Sequence, residues 1–154
     1  MTLAIRRGTA ADAGDLAVIF HRAVQAAEAY TAAQRDAWSP TCPSAAQWAE
    51  RLEGLTTLVA EHDGKSIRFM SLRDDGYLDL AFVDPDFARQ GIGQALLDEI
   101  LQEARRLGLR RLSTEASLVA RAFFERHGWV VLQEQVVERR GVELKNFRMA
   151  FQLG

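Results

Sequence analysis

Chemistry is suggested first by the run Val83-Asp84-Pro85-Asp86-Phe87-Ala88-Arg89-Gln90-Gly91-Ile92-Gly93-Gln94-Ala95-Leu96-Leu97. An apolar strand pattern stops at a proline, a short loop follows, and a helix pattern begins through Gly91 and Gly93. Glycines at such a turn let a ligand lie against the backbone. The first N–H groups of a helix lack partners and carry partial positive charge, which suits phosphate or pyrophosphate. Arg89 adds a guanidinium to the same loop. Glycines kept only for packing would give the same two positions, so that reading stays open. A Walker loop is excluded, because no lysine follows the glycines. A dinucleotide fingerprint is excluded too, because Leu96 stands where a third small residue belongs.

Two carboxylates are candidates for moving a proton. Asp79 lies inside the otherwise apolar stretch Tyr77–Val83, where a charge is unexpected. Glu115 closes the next strand pattern, on the side where a ligand at Gly91 would lie. Each can accept a proton directly or through water. The plainer readings are a satisfied structural carboxylate for Asp79 and an exposed charge or helix cap for Glu115. His21, His62 and His127 share no metal-ligand spacing. His21 sits beside the apolar stripe of a helix and is a candidate to face a substrate. Cys42, between Pro40 and Pro43, is the sole cysteine, so an intramolecular disulfide and a cysteine-built zinc site are excluded. The pairs Arg105-Arg106, Arg110-Arg111 and Arg139-Arg140 read as solvated helix ends and a hairpin tip.

The elements that must carry these residues follow from apolar spacing. Leu3 and Ile5 mark a strand, and Leu16, Ile19, Phe20, Ala23, Val24 and Ala27 form one face of a helix. Residues 30–43 are irregular with one helical turn near 33–38, and a second helix covers 44–52. Strands are expected at 57–61, 66–72 and Tyr77–Val83, a helix at 91–107, a strand at 109–114, a short helix at 117–127 and a hairpin at 129–137 and 142–151. In the last strand Val142 and Leu144 run in one phase and Phe147, Met149 and Phe151 in the other, which predicts a bulge near Lys145-Asn146. The order predicts a three-layer α/β fold, a mixed sheet of about seven strands with helices on both faces. A chain of 154 residues is the size of one domain, expected over 1–154. Apolar residues at 48% and charged residues at 26% exclude a disordered or coiled-coil chain. No apolar run nears the ~20 residues of a membrane span, and no signal-peptide layout opens the chain, so a cytoplasmic protein without membrane contact is expected. A net charge of -2 counts against a nucleic-acid binder.

With these residues in place, the sequence resembles the GNAT-type N-acetyltransferases over nearly its whole length. Their acetyl-CoA loop reads Arg/Gln-x-x-Gly-x-Gly/Ala after a strand ending in Val-x-Pro. Val83-Asp84-Pro85 and Gly91-Ile92-Gly93 match, while Ala88 takes the first Arg/Gln position, with Arg89 next to it as the replacement. A second motif, Asn-x-x-Ala-x-x-x-Tyr before Gly-Phe, is matched at Ala120, Gly128 and the aromatic Trp129; Ser117 replaces the asparagine and Phe124 the tyrosine. The resemblance implies acetyl-CoA bound between Tyr77–Val83 and the strand at 109–114. It implies the pantetheine arm on the backbone of Leu80, Phe82 and Val83, and the phosphates on Ala88, Arg89, Gln90, Gly91, Ile92, Gly93 and Gln94. Ser117 and Phe124 are implied to lie beside the cofactor.

The tyrosine of the second motif protonates the leaving thiolate in that family, and Phe124 cannot. Tyr30 and Ser117 are the alternative donors, with Asp79 or Glu115 as base. The resemblance also implies that residues 15–55 roof the acceptor side, which makes Tyr30, Trp38 and His21 the expected walls of an enclosed pocket for a small-molecule amine. The expected function is acetyl transfer from acetyl-CoA to a primary amine by direct attack. A non-catalytic acyl-CoA-sensing domain is the alternative reading, and a homodimer is left open.

Overall fold

The computed structural model describes residues 2–88 and 91–154. Arg89 and Gln90, expected at the phosphate loop, lie outside the described residues. Seven strands, β1 (Leu3–Arg7), β2 (Thr56–His62), β3 (Lys65–Leu72), β4 (Tyr77–Val83), β5 (Arg111–Ser117), β6 (Val130–Arg139) and β7 (Val142–Gln152), form a sheet ordered β1-β2-β3-β4-β5-β7-β6. Only β4 and β5 run parallel; the other neighbours are antiparallel. Helices α1 (Ala13–Gln25), α2 (Ala32–Trp38) and α3 (Ala45–Leu52) precede β2, and α4 (Ile92–Arg106) and α5 (Arg121–Arg126) flank β5.

The apolar stripes decide which face each helix covers. Leu16 and Ile19 of α1 and Trp48 of α3 are buried against Val59, Phe69 and Leu80. Leu96, Leu97 and Ile100 of α4, with Phe124 of α5, are buried with Met70, Leu112 and Met149 in the larger core. Three layers result, as the element order predicts. The segment 30–43, read as irregular with one helical turn, holds α2, and the helix expected over 44–52 forms as α3; a capping box opens each. The Thr31 and Ser44 hydroxyls accept from the amides of Gln34 and Gln47, whose side chains return to the cap amides.

Three local features differ from the sequence reading. The phase change in β7 is a change of face, not a bulge at Lys145-Asn146. Leu144 is buried with Ala27 and Tyr30, while Phe147 and Met149 join the α4 side. The register shift in this hairpin falls instead in β6, between Val131 and Gln133. β5 starts two residues late and runs to Ser117, because β7 pairs with it through Asn146↔Ser117. Glu115 is therefore inside β5, and α5 begins only at Arg121. In β4, Ser71 pairs with Leu80 and Leu72 with Leu78, which leaves Asp79 as the extra residue of a bulge. The bulge switches the phase of the strand, so Leu78 and Leu80 join different cores.

Candidate active site

β4 and β5 part just beyond this bulge. Their pairing is confined to Tyr77↔Ser113 and Leu78↔Thr114, where the Thr114 hydroxyl also donates to the Leu78 carbonyl at 2.8 Å. Past these pairs the strands border a half-open chamber of about 310 Å³. One wall is aromatic: Phe20 stacks on Trp48 at 4.6 Å and meets Phe82 edge-on at 5.0 Å, and Tyr30 meets Trp38 edge-on at 5.6 Å. Leu80, Phe82, Ser117 and Phe124 line the same chamber.

The polar lining is mostly paired. Asp79, re-aimed by the bulge, receives two bonds from Arg51 of α3 at 2.7 and 3.0 Å. Glu115 accepts from the Tyr77 hydroxyl at 3.0 Å and from Gln135 Nε2 at 2.7 Å, and has no cationic partner among the described residues. Burial, with the Glu115 carboxylate beside it, pushes the Tyr77 phenol well above its ordinary value. Tyr30, 3% exposed, donates to the Lys145 carbonyl at 2.7 Å and accepts from the Leu118 amide at 3.0 Å. Its phenol is pushed up by burial. Its proton is thus already engaged. Ser117 Oγ accepts from the Ala120 amide at 3.1 Å, which leaves its own proton to give. Trp38 is half-buried and lines the chamber. His21 does not; its Nδ1 shares a 2.7 Å hydrogen bond with the Ser39 hydroxyl, and that bond turns it toward the α1–α2 contact.

A second cavity, about 430 Å³, lies at the start of α4. Val83, Ala88, Gly91, Gly93 and Gln94 line it together with Arg68, Phe123, Arg126 and His127. Gly91 has φ +71, a left-handed conformation that favours glycine. Gly93 is constrained by space: a Cβ there would stand 2.7 Å from Arg68 and Phe123. Ile92 is buried in the core and fixes this end of the helix. The loop before it is clamped by Arg22, which bonds Asp84 at 2.7 Å and Asp86 at 3.1 Å.

Arg51, Tyr77, Gln135 and Arg68 were missed in the sequence. Arg139, read as a hairpin tip, lines the first chamber, and Arg140 Nη1 donates to the Ala37 carbonyl at 2.6 Å, docking the tip on α2. Among the described residues no group of three His, Cys, Asp or Glu side chains forms a metal site, and no helix is long and apolar enough to cross a membrane.

Known proteins share this architecture. Residues 26–151 match the acetyltransferase (GNAT) domain family. The uncharacterized N-acetyltransferase YafP of Escherichia coli K12 is 34% identical over 149 residues, 96% of this chain and 94% of that one. A GCN5-related N-acetyltransferase from Rhodopseudomonas palustris superposes with a TM-score of 0.91 at 31% identity, over 99% of this chain and 96% of its own. The acetyltransferase yncA of Salmonella typhimurium, solved with its cofactor acetyl-CoA, shares the fold at a TM-score of 0.77 and 22% identity, over 100% and 95% of the two chains. The forked strands, the glycine-led helix and these relatives agree: the chain belongs to the GNAT family of acetyltransferases.

Proposed function

We propose that the protein transfers an acetyl group from acetyl-CoA to the primary amine of a small molecule, both held at once. The observation that carries this is the fork of β4 and β5, which joins the aromatic chamber to unpaired β4 backbone leading toward Gly91. Three features of the chain fit the cofactor. The β5-side edge of β4 beyond Leu78, left unpaired, suits an extended arm added as a strand. The start of α4 offers amide N–H groups at Gly91 and Gly93. The second cavity is lined by cations and by no carboxylate among the described residues. When bound, the cofactor supplies a thioester already activated toward an amine, so no covalent enzyme intermediate is required.

Glu115 is the base in this proposal, since it is the chamber carboxylate without a cation; Asp79 fixes Arg51 in the wall. Ser117 is the proton donor with an unengaged hydrogen, and Tyr30 holds the roof. A thiol of pKa ~8.5 leaves readily, so Phe124 in the tyrosine position is compatible with turnover. The same phenylalanine favours the alternative of a non-catalytic acyl-CoA sensor. The docked hairpin tip and the aromatic wall support a small amine over a protein tail. The proposal treats residues 1–154 as one domain in the cytoplasm, where the exposed, lone Cys42 is at home. Release of free CoA from acetyl-CoA across a panel of small primary amines tests it. Amine-dependent release is expected; tight acetyl-CoA binding with no amine-dependent release would establish the sensor instead.

A further inference from the structure

We propose that Arg68 of β3 is the cation that grips a phosphate of acetyl-CoA at the start of α4, in place of the side chain missing at Ala88. The inference rests on the acetyl-CoA reading above. Arg68 pairs in register with Val83, the last residue of β4, so it stands where the strand hands over to the α4 loop. Its guanidinium has no salt bridge and no hydrogen bond among the described residues, and its Nε is buried without a partner. The guanidinium lies over the Phe123 ring at 4.9 Å, and Gly93 alone leaves room for it.

A desolvated guanidinium with no acid is costly, and burial pushes this one down to about 10. The arginines of β1 and of the turn after β3 have carboxylates: Arg6 has Asp12 and Glu61, Arg7 faces Glu103, and Arg73 has Asp75. The cavity around Arg68 adds Arg126 and His127 and contributes no carboxylate among the described residues. An anion supplies what the site lacks. A guanidinium fork matches the oxygens of a phosphate in two parallel bonds, and the α4 amides beside it add donors of the same preference. Stacking on Phe123 fixes the plane of the fork before the ligand arrives, which lowers the entropy lost on binding.

The test compares wild type with Arg68→Met, which keeps the apolar stem and removes the charge. Calorimetry reads the affinity for CoA, and a ligand-observed titration reads the affinity for pantetheine, which carries no phosphate. The expected result is a loss of about 10- to 100-fold for CoA, the scale of a charge-assisted hydrogen bond, with pantetheine unchanged. The unliganded variant should melt no lower than wild type, because an unpaired charge has gone. CoA affinity equal to wild type, or equal losses for CoA and pantetheine, would overturn the role of Arg68. Wild-type protein that binds neither compound would overturn the cofactor reading itself, and Arg68 with it.

Discussion

The two cavities flank one strand end yet treat charge in opposite ways. In the chamber between β4 and β5 most charges have a partner: Arg51 holds Asp79, Lys145 reaches out to Glu134, and Glu115 takes two neutral hydrogen bonds, while Arg139 has no acid among the described residues. At the start of α4 the lining holds Arg68, Arg126 and His127 and, among the described residues, no acid. In the proposed function Glu115, the chamber carboxylate without a cation, takes the proton of the incoming ammonium. Arg68 and Arg126, with no acid beside them among the described residues, gain a counter-charge from an anionic ligand. The contrast supports the proposal that acceptor and phosphates occupy separate ends of the fork.

The sharpest way to break this division is Glu115→Gln. It should lower kcat by about 100-fold, the scale of a lost general base, and leave CoA affinity unchanged. A fall in CoA affinity of similar size would erase the distinction between the ends. Gly93→Val works from the other side. Its side chain must displace Arg68 and Phe123, at about 1–3 kcal/mol of overpacking, so CoA binding weakens and the melting temperature drops. Gly91→Val has open space around it and pays only for a left-handed backbone, so its melting temperature should fall less. Trp38→Ala should raise KM for the amine by about 10-fold, a factor worth 1.4 kcal/mol, with CoA affinity intact. Unchanged KM would remove the aromatic wall from acceptor binding.

The smallest effect lies outside both cavities. Arg6 bonds Asp12 at 2.7 and 2.9 Å and holds its carboxyl below the usual range. A depressed carboxyl contributes stability in full above its unfolded value of about 3.9 and loses it as the pH falls through the folded value. Urea midpoints of wild type and Arg6→Met should therefore differ at pH 6 and converge toward pH 3.

The readable parts of the sequence were those in which the signal is local. Gly91 and Gly93 mark the helix start within three residues, and Asp79 stands out in an apolar strand because one charge breaks one pattern. The unreadable parts depend on partners brought from elsewhere. Arg51 sits on a helix 28 residues before Asp79, and only the bulge turns the two together. Arg68 breaks no local pattern in the strand at 66–72, and its isolation shows only once α4 and α5 lie beside it. Tyr30 reads as a loop aromatic open to ligand, but its hydroxyl bridges Leu118 and Lys145, contacts 88 and 115 residues away. His21 shares a helix with the wall yet bonds Ser39 behind it, and a single turn of spacing cannot tell the two outcomes apart.

The fork also writes a kinetic signature into the middle of the sheet. β4 bonds to β3 from Leu78 to Val83, but to β5 only around Tyr77 and Leu78. Its amides that point toward β5 beyond Leu78 lack the paired carbonyl that a central strand normally offers. In deuterated solvent they should exchange quickly while flanking amides of β2, β3 and β7 exchange slowly. Occupation of the fork by a ligand arm would slow that one set selectively, so a mass shift confined to the β4 peptide reports loading without any turnover.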